Sequence, residues 1–184
     1  MSEIYQPSED SFLMSRILKQ QLPNLLEKNS DLKFLEIGAG SGIHLQTALK
    51  YGIKKENIFS SDIDPKSIDH CNFLGFHCIQ SNLFKNIKGK FNLIIFNPPY
   101  LPEDKKEPKD SQLQTTGGKK GNEIINKFLK QAKNHLTSDG KIFLLTSSFT
   151  SKINFKKLGY KEKEIGCEKL FYERLCILEL ADNI

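Results

Sequence analysis

The chain has no run of eighteen apolar residues, the length a helix needs to cross a bilayer, and no charged-then-apolar leader at Met1. We therefore expect a soluble, unexported, cytoplasmic protein with no membrane partner. Cysteine is scarce: the four residues Cys71, Cys78, Cys167 and Cys176 form none of the close pairs of a zinc site. They lie in apolar patterns, so reduced structural thiols are expected and no metal. There is no internal repeat, no Lys-Ser/Thr phosphate loop and no G-x-G-x-x-G fingerprint. The 184 residues suit one domain, 1–184, burying roughly two thirds of the unfolded surface, with no second core. The net charge of +5, from 27 Lys+Arg against 22 Asp+Glu, concentrates in loops such as Lys105-Lys106, Lys119-Lys120 and Lys156-Lys157. That balance favours an acidic or nucleic-acid partner, and ordinary solvated lysines would give it too.

What is present centres on Asn97-Pro98-Pro99-Tyr100. It follows Phe91-Asn92-Leu93-Ile94-Ile95, an apolar, β-branched and aromatic run suited to a buried strand. Two prolines then stop the ladder, because neither has an N–H to donate. Asn97 thus sits at a strand's carboxyl end, where open α/β sheets bind ligands. A planar NH2 conjugated to a carbonyl or ring has two N–H donors and a weak lone pair. The Asn97 side-chain carbonyl and the Pro98 backbone carbonyl can each accept one N–H, and Tyr100 can lie against the plane. Asn-Pro-Pro also serves as a plain turn, since Asn before Pro starts many loops.

Upstream, 1–30 reads as an N-terminal helical segment. Tyr5-Gln6-Pro7-Ser8-Glu9-Asp10-Ser11-Phe12 suits a capped helix start with acids at the positive end of the dipole, and the helix should run toward Leu22, with Pro23 then interrupting or restarting it. Leu32–Ile37 reads as the first strand, and Gly38-Ala39-Gly40-Ser41-Gly42 turns it into a helix from Ile43 to about Tyr51. Glycines at alternate positions let a nucleoside or amino-acid ligand approach the backbone. Glu36, just ahead of them, suits a cationic group. A second strand, Asn57–Ser61, ends in Asp62-Ile63-Asp64-Pro65. An acid there can hold ribose hydroxyls; Asp62 ends the strand directly, whereas Asp64 suits a helix cap. Phe76–Ile79 reads as a third strand, and Asn82 after it can touch an adenine edge.

Residues 101–121 are polar, rich in Lys, Pro and Gly, and read as a substrate loop that orders on binding or as solvated surface. A helix follows from Asn122 with Ile124, Ile125, Phe128, Leu129 and Ala132 on one face; Glu123 is either a loop anchor or a first-turn acid. Lys141–Thr146 reads as a strand, Phe149–Leu158 as a short helix, and Lys161–Ile165 and Phe171–Leu180 as a closing antiparallel pair. The class is α/β, a Rossmann-like, mostly parallel seven-stranded sheet with helices on both faces and a C-terminal antiparallel hairpin.

Glu36 to Gly42, Asp62, Asn82-Leu83 and Asn97-Pro98-Pro99-Tyr100 occur in the order and spacing of class I S-adenosylmethionine-dependent methyltransferases acting on amides or exocyclic amines. More narrowly, the chain resembles the HemK/PrmC group, which methylates the glutamine of the GGQ motif in peptide-chain release factors. Tyr5–Phe12 resembles the Tyr-x-Pro-x-Glu-Asp-Thr-Phe motif of its archaeal and eukaryotic branch, and Gly117–Asn126 resembles that branch's Gly-Gly-x-x-Gly-x-Glu segment. Bacterial members carry a helical recognition domain ahead of the catalytic one; with Tyr5 already matching catalytic sequence, none is expected here.

The resemblance implies S-adenosyl-L-methionine as cofactor, with Ser11 near it, Glu36 and Gly38 facing its methionine end, Gly40 also in contact with it, Asp62 at the ribose, Asn82 and Leu83 at the adenine, and Asn97 between cofactor and acceptor. Asn97, Pro98, Pro99 and Tyr100 would hold the acceptor amide. Two departures stand out: Asn82 replaces the usual Asp, and Gln114-Thr115-Thr116 lacks the aromatic common before the Gly-Gly pair. The implied reaction is direct in-line methyl transfer to the glutamine nitrogen, driven by positioning and desolvation. The implied partners are a class I release factor as substrate and a small zinc-binding activator, forming a heterodimer along the third strand, Phe73 to Ile79. Those residues could equally pack internally. Two other readings are an enzyme acting on adenine or cytosine amines in nucleic acid, and a non-catalytic subunit that keeps the fold.

Overall fold

The computed structural model describes residues 6–104 and 115–183. Tyr5, and residues 105–114 of the expected substrate loop, lie outside the described residues. Helices α1 (Glu9–Lys28), α2 (Ile43–Lys50), α3 (Pro65–Phe73) and α4 (Glu123–Ala132) flank strands β1 (Phe34–Ile37), β2 (Ile58–Asp62), β3 (His77–Gln80), β4 (Phe91–Phe96), β5 (Leu136–Ser147), β6 (Tyr160–Lys169) and β7 (Arg174–Asp182). The strands make one sheet in the order β3-β2-β1-β4-β5-β7-β6. β1 runs parallel to β2 and β4, β4 to β5, and β7 antiparallel to both β5 and β6. This is the expected Rossmann-like sheet with its antiparallel close. No described helix is long and apolar enough to cross a membrane.

Strand alternation builds a core on each face. Phe34, Leu93 and Ile95 point to the side covered by α1, α2 and α3, with Leu13, Met14, Leu45 and Cys71. Leu35, Ile94 and Phe96 point to the side covered by α4, with Phe128, Leu129, Leu144 and Tyr160. The Tyr160 hydroxyl donates to the Leu129 carbonyl at 2.8 Å, so the buried ring leaves no polar atom unsatisfied.

Register decides where function can sit. Ile37 is level with both Ser61 and Phe96, and Asp62 with Gln80. The glycine turn, Asp62, the Ser81-Asn82-Leu83 segment and Asn97 therefore leave the sheet at one edge. The order reverses between β1 and β4, the crevice where such sheets bind ligands.

Four local expectations need correcting. α1 continues through Pro23 to Lys28. The proline removes one ladder bond and costs ~3 kcal/mol. Beyond it Leu25 and Leu26, both half-buried, still pack on the core beside fully buried Leu22, each contributing part of the ~1.5–3 kcal/mol of a fully buried leucine. Ser8 is the N-cap of α1, but its hydroxyl donates to the Glu9 carboxylate and makes no cap bond. Residues 149–158 form turns joined by irregular backbone over 151–154, because tertiary partners take their polar groups: the Ser151 N–H donates to Lys120 O and the Thr150 hydroxyl to Tyr100 O. Cys167 and Cys176 form a disulfide. Direct cross-strand pairing of β6 and β7 brings their Cα atoms to 4.1 Å, a juxtaposition their spacing in sequence does not announce. Cys71 and Cys78 are buried free thiols, as expected.

Candidate active site

A cavity of about 320 Å³ opens where β1, β2, β3 and β4 end. Its lining includes Ser11, Glu36, Gly38, Gly40, Asp62, Asn82, Leu83, Asn97, Pro98 and Pro99, so the structure gathers ten of the expected site residues. Tyr100 does not line it: its half-buried ring packs against both cores and its carbonyl accepts the Thr150 hydroxyl at 3.1 Å. Burial pushes the Tyr100 phenol well above its ordinary range, helped by the nearby carboxylates of Asp10, Glu173 and Glu9.

The glycine turn works through backbone conformation. Gly38 has φ 74° and Gly40 φ 50°, both in the left-handed region that a side chain disfavours. That path aims the Gly40 N–H at Asp62 Oδ2, 2.9 Å away, while Asp62 Oδ1 accepts the Asp64 N–H at 2.9 Å. Burial raises the Asp62 carboxyl, and these N–H groups pull it back. Asp64 caps α3 by accepting the Lys66 N–H at 3.1 Å, the helix cap that the sequence suggested for it. Leu83 is the single non-glycine residue with positive φ among the described residues, at 54°. Its carbonyl is held by the Ser81 hydroxyl at 2.7 Å. A leucine held in this conformation at a cavity wall is backbone strain of the kind that collects at ligand sites.

Glu36 is 1% exposed, and its Oε1 lies 2.6 Å from His44 Nδ1. His44 Nε2 in turn lies 3.1 Å from the Ser11 carbonyl. A carbonyl only accepts, so Nε2 carries a hydrogen, and one further proton lies between Nδ1 and Glu36. Burial alone would lower His44, but Glu36 outweighs it and the imidazole is raised; burial raises Glu36, against the pull of His44. Glu36 Oε2 is buried without a hydrogen-bond partner, a site for a cationic group.

Asn97 follows the same logic. Its Nδ2 donates to Asp10 Oδ2 at 3.0 Å, and its Oδ1 is buried without a partner. Asp10 Oδ1 accepts the Ser11 N–H at 2.6 Å and the Ser11 hydroxyl at 3.2 Å. Asp10 and His44 also line the cavity, and sequence reasoning missed both as site residues. The polar His44 on the inner face of α2 was the available signal.

The described ends of the 101–121 segment are fastened down. Leu101 N–H donates to Thr115 O and Gly117 N–H to Leu101 O, both at 2.9 Å. A Cβ at Gly117 would stand 2.6 Å from the Pro99 carbonyl oxygen, so the Gly-Gly segment lies directly on the Pro-Pro backbone. Glu123 anchors it, its carboxylate accepting the Lys120 N–H at 3.1 Å.

The family model for the methyltransferase small domain matches residues 13–163. A Methanocaldococcus jannaschii protein that bears the name of a protein N5-glutamine methyltransferase is 37% identical, covering 96% of this chain and 90% of its own. The eRF1 methyltransferase catalytic subunit mtq2 of Schizosaccharomyces pombe is 27% identical, covering 97% and 89%. This chain spans about half, 54%, of the release factor glutamine methyltransferase of Lactococcus lactis, at 29% identity. The ribosomal protein L11 methylase of Lactobacillus delbrueckii shares the fold, with TM-score 0.59 and 17% identity over 99% of this chain and 92% of that one. The chain therefore belongs to the methyltransferase small-domain family, in its HemK-type group, and is an enzyme that takes methyl from S-adenosylmethionine.

Proposed function

We propose that the protein methylates the side-chain nitrogen of the GGQ glutamine in a class I release factor, with Asn97, Pro98 and Pro99 at the acceptor. The observation that carries this reading is the buried, partnerless Oδ1 of Asn97 in the cavity wall. Relatives named as release factor and N5-glutamine methyltransferases support the same acceptor.

The residues present fit the cofactor: a partnerless buried Glu36 oxygen suits a cation, and the Asp62 carboxylate can accept from hydroxyls. Glu36, Gly38, Gly40 and Ser11 would hold its amino-acid end, Asp62 the ribose, and Asn82 and Leu83 the adenine. When bound, S-adenosylmethionine supplies an electrophilic methyl on a sulfonium. Asn97 Oδ1 and the Pro98 carbonyl accept the two N–H groups of the acceptor and aim its nitrogen, so orientation and water exclusion are the chief catalytic effects. The Tyr100 phenol, raised by burial, keeps its proton and is no base. The nitrogen's surplus proton passes to a carbonyl or water.

We also infer a zinc-binding activator docked on β3. Supporting this, β3 is the outer strand, Phe73 beside it is 88% exposed, and Ile63 is 44% exposed. Phe76 and Cys78 pack inward, which narrows the surface expected over 73–79. A Phe73→Asp variant that still co-purifies with the activator would sink that placement.

The test is label transfer from S-adenosylmethionine to a matching release factor, its GGQ Gln→Ala variant and duplex DNA, with and without the activator. Label on the wild-type factor alone is expected. Label on DNA, or on nothing, refutes the reading.

A further inference from the structure

The Asp10 contact to Asn97 has no role in the mechanism as stated so far. Asp10 is 6% exposed, in the first turn of α1, and reaches across 87 residues of sequence to the end of β4. A carboxylate has only acceptor oxygens, so the end of the Asn97 amide that faces it must be the NH2. The other end, Oδ1, is thereby turned away from Asp10; it is buried and has no partner, in a residue that lines the cavity. Without Asp10 no hydrogen bond among the described residues would distinguish the two ends of the Asn97 amide. An asparagine rotated by half a turn would present donors to a nitrogen that itself carries only N–H groups.

We propose that Asp10 is the positioning residue of the acceptor site: its carboxylate fixes the Asn97 amide so that Oδ1 faces the acceptor, and strengthens that oxygen as a hydrogen-bond acceptor. This rests on the reading of Asn97 given above. The second half follows from charge. Donation from the Asn97 NH2 to an anionic oxygen polarises the amide and moves electron density onto Oδ1. The acceptor nitrogen gains positive charge as it is methylated, so its N–H groups bind a more negative Oδ1 most strongly in the transition state. Ser11 holds Asp10 with two bonds to Oδ1, and His44 holds the Ser11 carbonyl, which locks the start of α1 to the cavity.

The experiment uses the full chain with its activator and compares Asp10→Ala, Asp10→Asn and Asn97→Ala. Two readouts are taken: single-turnover methyl transfer at saturating cofactor, and the side-chain NH2 resonances of Asn97, assigned by their loss in Asn97→Ala. In the wild type one NH2 proton is expected downfield and slow to exchange; in Asp10→Ala the pair moves to free-amide positions. Transfer by Asp10→Ala should fall about 10²-fold, the scale set by a misplaced reacting group, with cofactor affinity within about threefold of wild type. Asp10→Asn keeps an accepting oxygen but loses the charge, and should fall about tenfold, since charge-assisted bonds are roughly twice as strong as neutral ones. The Asp10→Ala, Asn97→Ala double variant should be no slower than Asn97→Ala. Wild-type transfer by both Asp10 variants, an unshifted Asn97 resonance, or a loss confined to cofactor affinity overturns the proposal. If Asn97→Ala itself transfers normally, the acceptor reading fails instead, and the resonance still reports on the Asp10 bond. Asp10→Asn is nearly isosteric, so it keeps the test decisive where Asp10→Ala loses the fold.

Discussion

Replacing Gly117 with alanine isolates the packing of the Gly-Gly segment on the Pro-Pro backbone. The added Cβ would collide first with Gly121 O, and would stand 2.6 Å from Pro99 O and 2.9 Å from Gly121 C; all three are main-chain atoms, so no rotamer change relieves it. Tolerable contacts begin near 3.4 Å, and the two backbones must therefore separate by about 0.8 Å. Such overpacking costs about 1–3 kcal/mol. At roughly 2–4 °C per kcal/mol for a chain of this size, the melting temperature should fall by about 2–12 °C. The displacement falls on the residue after Pro98, whose carbonyl is one of the two proposed acceptors for the substrate amide. A misplacement approaching 1 Å can cost ~10²-fold in rate, so methyl transfer should drop by tenfold or more at saturating substrates. Cofactor binding should hold within about threefold, because the glycine turn and Asp62 are untouched. Circular dichroism melting, single-turnover label transfer and a cofactor titration measure the three quantities. A variant that melts and transfers like wild type would show that the segment does not lie on Pro99 as described.

Other expectations follow from neighbouring contacts. Asn97→Ala should leave cofactor affinity nearly intact while single-turnover transfer falls by orders of magnitude; retained transfer would remove Asn97 from the acceptor site. Asp62→Asn should weaken cofactor binding first, by about 10- to 100-fold if a charged hydrogen bond of ~1.5–3 kcal/mol is lost, read by calorimetric titration. His44 and Glu36 are both raised, so each of these two sites holds its proton more tightly in the folded chain than in the unfolded one. The His44 contribution is full below the unfolded value of 6.5 and lost as pH rises through its raised folded value. Melting temperature should therefore decline from pH 6 toward alkaline pH, and His44→Gln should flatten that slope; equal slopes would refute the pairing. Tyr160→Phe strands the buried Leu129 carbonyl and should cost about 1–3 kcal/mol, seen as a lower denaturation midpoint with unchanged slope.

Much of the site was legible because it follows from local chemistry. Two consecutive prolines end a strand wherever it packs, and glycines at alternate positions turn sharply in any context, so Asn97, Gly38 and Gly40 could be placed at strand ends from the residues alone. Asp62 before Asp64-Pro65 announced a strand end followed by a capped helix for the same reason, and the structure has both. The near-continuous apolar runs of β1 and β4 determined that both faces would be covered.

Tertiary structure decided whatever depends on residues far apart in sequence. Pro23 reads as a helix end, yet core packing of Leu22, Leu25 and Leu26 carries α1 through it. Residues 149–158 have a helical apolar spacing, but Lys120 and Tyr100 claim their polar groups. The pairing of Cys167 with Cys176 waited on the β6–β7 register. Asp10 and Asn97 are 87 residues apart, and Glu36, His44 and Ser11 come from three elements. The sequence by itself therefore determined which strand ends and turns carry the cavity, through backbone geometry that is local. Only the folded chain decided how their polar ends are turned, because an amide or imidazole is oriented by the partner that the fold sets against it.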